Sequence, residues 1–259
     1  MQVHYGFDQT TTTIPRPVAT VGSYDGVHYG HRAILDRLNE LARERQGEST
    51  VITFDPHPRT VVSDEPIELL TPLPEKLEIL ESTGIDHTIV VPFTSEFSRM
   101  SYQDFVRDDL VGRLHIDTLL IGYNHHLGHN RSGGYDQLLA LSRIYGFDLQ
   151  IMSQKQLDTQ HVSSTVIRRM IRCGQLHEAE RLLGRAFRIK GYVDRSGAIT
   201  GTDPCKIIPP EGRYNVTCIP DADKNQTYTA SLTIGPERKL SLQVPLSTFP
   251  TGTTSIEFR

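Results

Sequence analysis

Over its first two-thirds the chain alternates short apolar runs with segments of helical period, and this alternation narrows the possible folds more than any other feature. Residues 18–22 read as a strand, and Ile34, Leu35, Leu38, Leu41 and Ala42 then recur on one helical face. Residues 50–54 form a second, β-branched run. Pro74 starts a charged helix that Gly84 stops. Residues 87–93 give a third strand, and Ser101 with Asp104 makes an S-x-x-D helix start ahead of Phe105, Val106 and Leu110. A fourth strand at residues 118–122, a helix at residues 135–145 and a fifth strand at residues 147–152 follow, then two helices near residues 164–172 and 177–183. Strand-helix repetition of this kind implies an α/β domain, a parallel sheet wrapped by helices on both faces. Such sheets bind ligands outside the carboxyl ends of their strands, where strand order reverses. Polar loops follow three of the strand ends here, at Gly22, Phe54 and Gly122.

Beyond about residue 185 the helical pattern stops, and Thr, Gly and Pro accumulate. Short alternating runs at residues 188–193, 214–219, 227–234 and 240–244 read as a small all-β, barrel-like module. The expected division is therefore an α/β domain over residues 1–185 and a β domain over residues 186–259. A chain of 259 residues with 37% hydrophobic and 22% charged side chains can bury a sizeable core. Its formal charge of −4 provides no broad attraction for nucleic acid or an anionic membrane, so phosphate binding must come from local arrangements. Cys173, Cys205 and Cys218 are odd in number and widely spaced, which disfavours a disulfide framework or a thiolate metal site. The first residues lack a basic flank and an apolar stretch, and no apolar run approaches the ~18 residues of a membrane span. A reduced, cytoplasmic setting is expected.

Four segments carry chemistry. The first loop reads Gly22-Ser23-Tyr24-Asp25-Gly26-Val27-His28-Tyr29-Gly30-His31, an H-x-G-H leading into a helix. Glycines let backbone approach a polyphosphate, a helix N-terminus offers N–H groups, and two imidazoles can donate to charge building on the α-phosphate and the departing pyrophosphate. A glycine-rich turn carrying two surface histidines is the plainer alternative. In Phe54-Asp55-Pro56-His57-Pro58 two prolines fix the backbone around His57. The loop from Gly122 to Gly133 holds His125, His126 and His129, but H-H-x-x-H in a glycine-rich loop without an adjacent carboxylate is a poor metal site. No protein-bound metal is expected; a loop closing over a planar or phosphorylated ligand, with Asn124 and Arg131 as polar contacts, fits better. Finally, Ser163-Ser164-Thr165-Val166-Ile167-Arg168 places hydroxyls at a helix start and an Arg fork within one turn, a pattern that suits phosphate oxygens but also describes a simple cap.

In order and spacing, these segments resemble the bacterial bifunctional riboflavin kinase and FMN adenylyltransferase family (prokaryotic FAD synthetases), within the H-x-G-H nucleotidyltransferases. Leu182-Leu183-Gly184-Arg185 resembles the stretch at that family's domain junction. The resemblance runs over residues 15–190 and implies a Rossmann-like fold and the transfer of AMP from ATP, with Mg²⁺, to FMN. It implies that His28, His31 and Arg168 are catalytic. Gly22, Ser23, Asp25, Gly30, Ser164 and Thr165 would bind ATP, and His57, Asn124 and Arg131 would lie toward the flavin. Mg²⁺ would be held chiefly by the polyphosphate. This sequence departs from the family in having Ser23 and Tyr24 where Asn and Phe are usual, Asn124 where Asp is usual, and His125 and Leu127 at usually aromatic positions.

The β module departs further. A riboflavin kinase would carry G-x-P-T-A-N, whereas the nearest stretch here is Gly201-Thr202-Asp203-Pro204-Cys205-Lys206-Ile207, and the sequence reaches Arg259 before the acidic strand and helix usual in that domain. A degenerate kinase-like barrel without kinase activity is expected. Two rival readings remain open at this point: a transferase acting on another phosphate ester, and a flavin- or nucleotide-binding regulatory paralogue.

Overall fold

The computed structural model describes residues 1–9, 14–63, 67–123, 125–153, 162–244 and 249–259. By their internal packing they form two compact units: residues 1–67 with 76–160, and residues 68–75 with 161–259.

The first unit is built on a six-stranded sheet, β1 (Gln2–Tyr5), β2 (Pro17–Val21), β3 (Glu48–Asp55), β4 (His87–Pro92), β5 (Thr118–Gly122) and β6 (Asp148–Met152), in the order β1-β4-β3-β2-β5-β6. Every pairing is parallel. Side chains alternate between two apolar layers with the period of two that a pleated strand imposes. Val18, Val51 and Leu120 face one layer, which contains Leu35, Leu38 and Leu41 of α1 (Tyr29–Arg45). Ala19, Ile52, Leu119 and Ile121 face the other, which contains Phe105 and Leu110, and Leu138 of α5 (Tyr135–Tyr145). Helices α2 (Pro58–Val62), α3 (Leu73–Glu81) and α4 (Tyr102–Asp104) complete the connections, and α4 continues in wider π-type turns through Phe105–Arg113. The expected S-x-x-D start is present: the Ser101 side chain caps α4 by accepting from the Asp104 N–H at 3.0 Å.

The edge strand β1 gave no clear signal in the sequence. It is held through His4 by a chain of side chains in which His4 Nε2 meets His87 Nδ1 at 3.0 Å and His87 Nε2 meets Glu48 Oε2 at 2.6 Å. Both rings are buried, so three strands are tied together across the sheet.

The second unit contains α6 (Ser164–Arg172), α7 (Leu176–Leu183) and the strands β7 (Arg188–Val193), β8 (Ala198–Thr200), β9 (Gly212–Pro220), β10 (Tyr228–Ile234), β11 (Leu240–Gln243) and β12 (Gly252–Phe258). These strands close into an antiparallel barrel in the order β10-β11-β8-β7-β12-β9. Four of them match runs seen in the sequence; β8 and β12 do not, being short or rich in Thr and Ser. Ile167, Ile171, Ala179 and Leu183 share one core with Ile189, Val216, Leu232 and Ile256 of the barrel, so by packing this unit begins before the change in sequence character near residue 185.

Lys206 joins this core by an unusual route. Its ammonium, 1% exposed, lies 2.6 Å from Glu75 Oε2 and 2.6 Å from the Leu70 carbonyl, and 4.7 Å from the centre of the Phe187 ring. The Leu69 backbone pairs with the same segment, its N–H donating to the Cys205 carbonyl and its carbonyl accepting from Ile207. Residues 68–75 are thereby fastened to the barrel through main chain and a buried charge pair. Lys206→Ala leaves Glu75 buried without its partner and lowers the stability of this unit by about 3–5 kcal/mol in denaturant titrations, whereas Lys206→Met with Glu75→Leu restores most of the loss.

Candidate active site

Strand β2 is buried at every residue and lies between β3 and β5. Connections on one side of it lead to β3 and β4, those on the other to β5 and β6, so the loops at the carboxyl ends of β2 and β5 diverge and leave a crevice. A cavity of about 380 Å³ occupies it, lined from the first loop by Gly22, Ser23, Tyr24 and His31 and from the loop after β5 by Gly122, Tyr123, His125 and His126.

The first loop is held in a strained shape. Gly26 has φ +85°, and Tyr24 and Val27 also lie at positive φ, +48° and +37°. For a β-branched residue such as Val27 this conformation is unfavourable and persists only where packing over-determines it. Both side chains are buried. The Tyr24 hydroxyl shares a hydrogen bond of 2.9 Å with Thr20 Oγ1, and burial pushes its pKa upward, so it stays neutral. A side chain at Gly22 would place its Cβ 3.0 Å from the Tyr24 ring, which explains the glycine. The Gly22 N–H donates to the Ile52 carbonyl at 2.9 Å, and Thr53 Oγ1 donates to the Ser23 carbonyl at 3.2 Å, so β3 braces the loop from beneath.

The loop delivers His28 to the start of α1. Its Nδ1 caps the helix by accepting from the His31 N–H at 3.4 Å, which in the neutral ring puts the proton on Nε2 as a donor. The His28 and His31 rings stack with centroids 3.7 Å apart at 13°, and Tyr24 packs on His31 at 5.0 Å. Two imidazoles are thus held in parallel over the N-terminus of a 17-residue helix, where backbone dipoles favour an anion. Asp25 is 1% exposed. Its burial suits a role within the turn rather than that of an open metal ligand, and among the described residues no three His, Cys, Asp or Glu side chains gather as a metal site would require.

The other sequence candidates are placed as follows. His57 is buried at the end of β3 and caps α2, its Nδ1 accepting from the Arg59 N–H at 3.2 Å; it does not line the cavity. His129 is exposed and packs its Nδ1 against the Ser98 carbonyl at 3.0 Å. Asn124 and the Arg131 side chain lie outside the described residues. Ser164, Thr165 and Arg168 open α6 in the second unit; Ser163 is the cap, accepting from the Val166 N–H at 3.3 Å, and Arg168 is 6% exposed. Sequence reasoning missed Tyr24 as the packing partner of the histidines, Ile34 in the cavity wall, and Lys76. Lys76 carried a readable signal, because it shares the buried face of α3 with Ile79 and Leu80.

A parallel sheet whose switch point opens onto an H-x-G-H helix start defines a nucleotidyltransferase. The FAD synthetase family model matches residues 11–166, and the chain belongs to that family. An FAD synthetase of Listeria monocytogenes is 34% identical over 223 residues, 84% of this chain and 88% of its own length. A bifunctional riboflavin kinase/FMN adenylyltransferase of the same organism is 34% identical over 226 residues, 83% of this chain and 71% of the relative. The bifunctional enzyme of Escherichia coli K12 is 36% identical over 177 residues, 68% of this chain but 56% of the relative. Among solved structures, a macrolide-efflux protein from Streptococcus pneumoniae shares the fold with a TM-score of 0.79 at 20% identity, covering 99% of this chain and 88% of that one.

The loop's strain makes its one buried hydroxyl pair a sensitive point. Tyr24→Phe leaves the Thr20 hydroxyl buried with its partner removed and lowers stability by about 1–3 kcal/mol in thermal melts; adding Thr20→Val recovers most of the loss, since both groups are then apolar.

Proposed function

We propose that this protein transfers AMP from ATP to FMN, forming FAD and pyrophosphate. A phosphate oxygen of FMN attacks the α-phosphorus of ATP in line. The new P–O bond forms as the bond to the β-phosphate oxygen breaks, and its electron pair leaves on pyrophosphate. The observation that carries this reading is the stacked His28–His31 pair at the start of α1, of which His31 lines the switch-point cavity and buried His28 packs against it. Its N–H groups and the helix N-terminus are suited to the negative charge that builds on the transferring phosphate and the leaving group. Catalysis then rests on positioning and charge stabilisation, with no covalent protein intermediate. ATP enters as its Mg²⁺ complex, the ion carried by the polyphosphate.

Gly22, Ser23, Asp25 and Gly30 shape the ATP loop in this reading, and Ser164, Thr165 and Arg168 supply further phosphate contacts. His57, Asn124 and Arg131 serve the flavin. Residues 1–185 form the adenylyltransferase part, and residues 186–259 a kinase-like barrel that has lost its first activity. The last point is supported by Lys206, which stands in the segment where a kinase would hold ATP and is committed to a buried pair with Glu75. No helix among the described residues is long and apolar enough to cross a membrane, which fits a cytoplasmic enzyme of small-molecule substrates.

Chromatography after incubation with Mg²⁺, ATP and either FMN or riboflavin tests this directly. FAD from FMN and no FMN from riboflavin is expected; FMN from riboflavin would restore the kinase, and no FAD from FMN in folded protein would sink the main proposal. His28→Ala is expected to lower kcat about 10²–10³-fold, far more than the loss of about 0.5–2 kcal/mol of stability that removing the α1 cap would explain.

A further inference from the structure

A second basic group stands behind the nucleotide loop. Lys76 is 4% exposed and lies on the buried face of α3 that also carries the apolar Ile79 and Leu80. Its ammonium donates to Thr53 Oγ1 at 3.2 Å and to the Phe54 carbonyl at 3.3 Å. Thr53, fully buried, donates in turn to the Ser23 carbonyl at 3.2 Å. A hydroxyl has one proton to give. With the ammonium occupying a lone pair, that proton has to point toward Ser23, and each bond polarises the next. The three groups therefore form a one-way relay from a buried cation to the backbone of the loop that carries the H-x-G-H motif.

We propose that Lys76 is a positioning residue for adenylyl transfer: through Thr53 its ammonium fixes the Ser23 carbonyl and with it the strained loop that delivers His28 and His31. This rests on the nucleotidyltransferase reading above and adds to it a residue that has no part in the H-x-G-H motif. The expense of burying a cation, when a methionine of similar length would pack on Ile79 and Leu80, is otherwise hard to account for. Its charged neighbours are Asp25 from the loop after β2 and Asp55 from the end of β3, both of which favour the ammonium. Burial outweighs them and lowers its pKa to about 8. The group thus loses its proton close to neutrality, and the relay loses its first donor with it.

The sign of the consequence follows. Activity that depends on the ammonium is present below the folded pKa and declines as pH rises through about 8. Stability runs the other way: between the folded pKa and the unfolded value of 10.5 the unfolded chain holds the extra proton, so alkali stabilises the fold as it disables the loop.

The test uses the full chain with Lys76→Met, Thr53→Val and Thr53→Ser, read by FAD formation and by calorimetric affinity for Mg²⁺-ATP across the range from about pH 6.5 to about pH 9.5. Wild-type kcat/KM for ATP should fall about tenfold by one pH unit above the midpoint. Lys76→Met and Thr53→Val should sit near that low value at neutral pH and lose the alkaline limb, with Lys76→Met melting no lower than wild type. Thr53→Ser, which keeps the hydroxyl, should retain both the rate and the limb. Variants that match wild type in rate and profile would overturn the proposal. So would a Lys76→Met that loses rate only in step with its melting temperature and keeps the alkaline limb. If wild type binds Mg²⁺-ATP but forms no FAD, the pH profile of that affinity carries the same comparison. If it binds no ATP, the nucleotidyltransferase reading falls, and this inference with it.

Discussion

Parallel pairing on both sides of β2 is the constraint from which the first unit follows. A strand with every residue buried can satisfy its backbone only by pairing with two neighbours, and parallel neighbours place all carboxyl ends on one side. The chain winds outward from β2 through β3 and β4 and later through β5 and β6, so the one gap between diverging loops opens above β2 itself. The H-x-G-H segment occupies that gap because it is the loop that leaves β2. Position in the topology thus comes before side-chain chemistry: the same ten residues after an edge strand would have no crevice to line.

Much of this was legible in the sequence because it depended on periodicity. Helix α5 and strands β5 and β7 fall where the apolar spacing puts them, and the strand-helix order gives the parallel sheet without further help. Strands β1, β8 and β12 escaped for physical reasons. An edge strand is half exposed and needs no continuous apolar run, as β1 shows, and β12 buries Thr254 and Ser255 alongside Ile256 and Phe258. The π-type turns of Phe105–Arg113 escaped because local spacing does not distinguish one extra residue per turn. At the site, the histidines could be read from a motif, but their stacking, the role of Tyr24 and the brace from Thr53 depend on contacts between residues far apart in the chain.

Two lysines buried in cores, one in each unit, show the same economy used to different ends. Lys206 meets a carboxylate at 2.6 Å and an aromatic face, a closed arrangement that secures structure. Among the described residues Lys76 meets only neutral oxygens directly and feels its carboxylates at longer range, an arrangement that leaves the charge available to polarise what it touches. The contrast lies in the partner. A full countercharge quenches a buried ammonium, whereas a hydroxyl passes its influence on.

The attachment of residues 68–75 to the barrel also bears on how the chain is made. A ribosome delivers these residues well before their partner, since Lys206 lies 131 residues beyond Glu75 along the chain. The sheet of the first unit can therefore collapse during synthesis while an eight-residue strap within its own span still waits for its partners at residues 205–207. Contacts of such long sequence separation form slowly. Glu75 therefore depends for its countercharge on chain made 131 residues later, and any chain that stops short of Lys206 carries that strap without its buried partner.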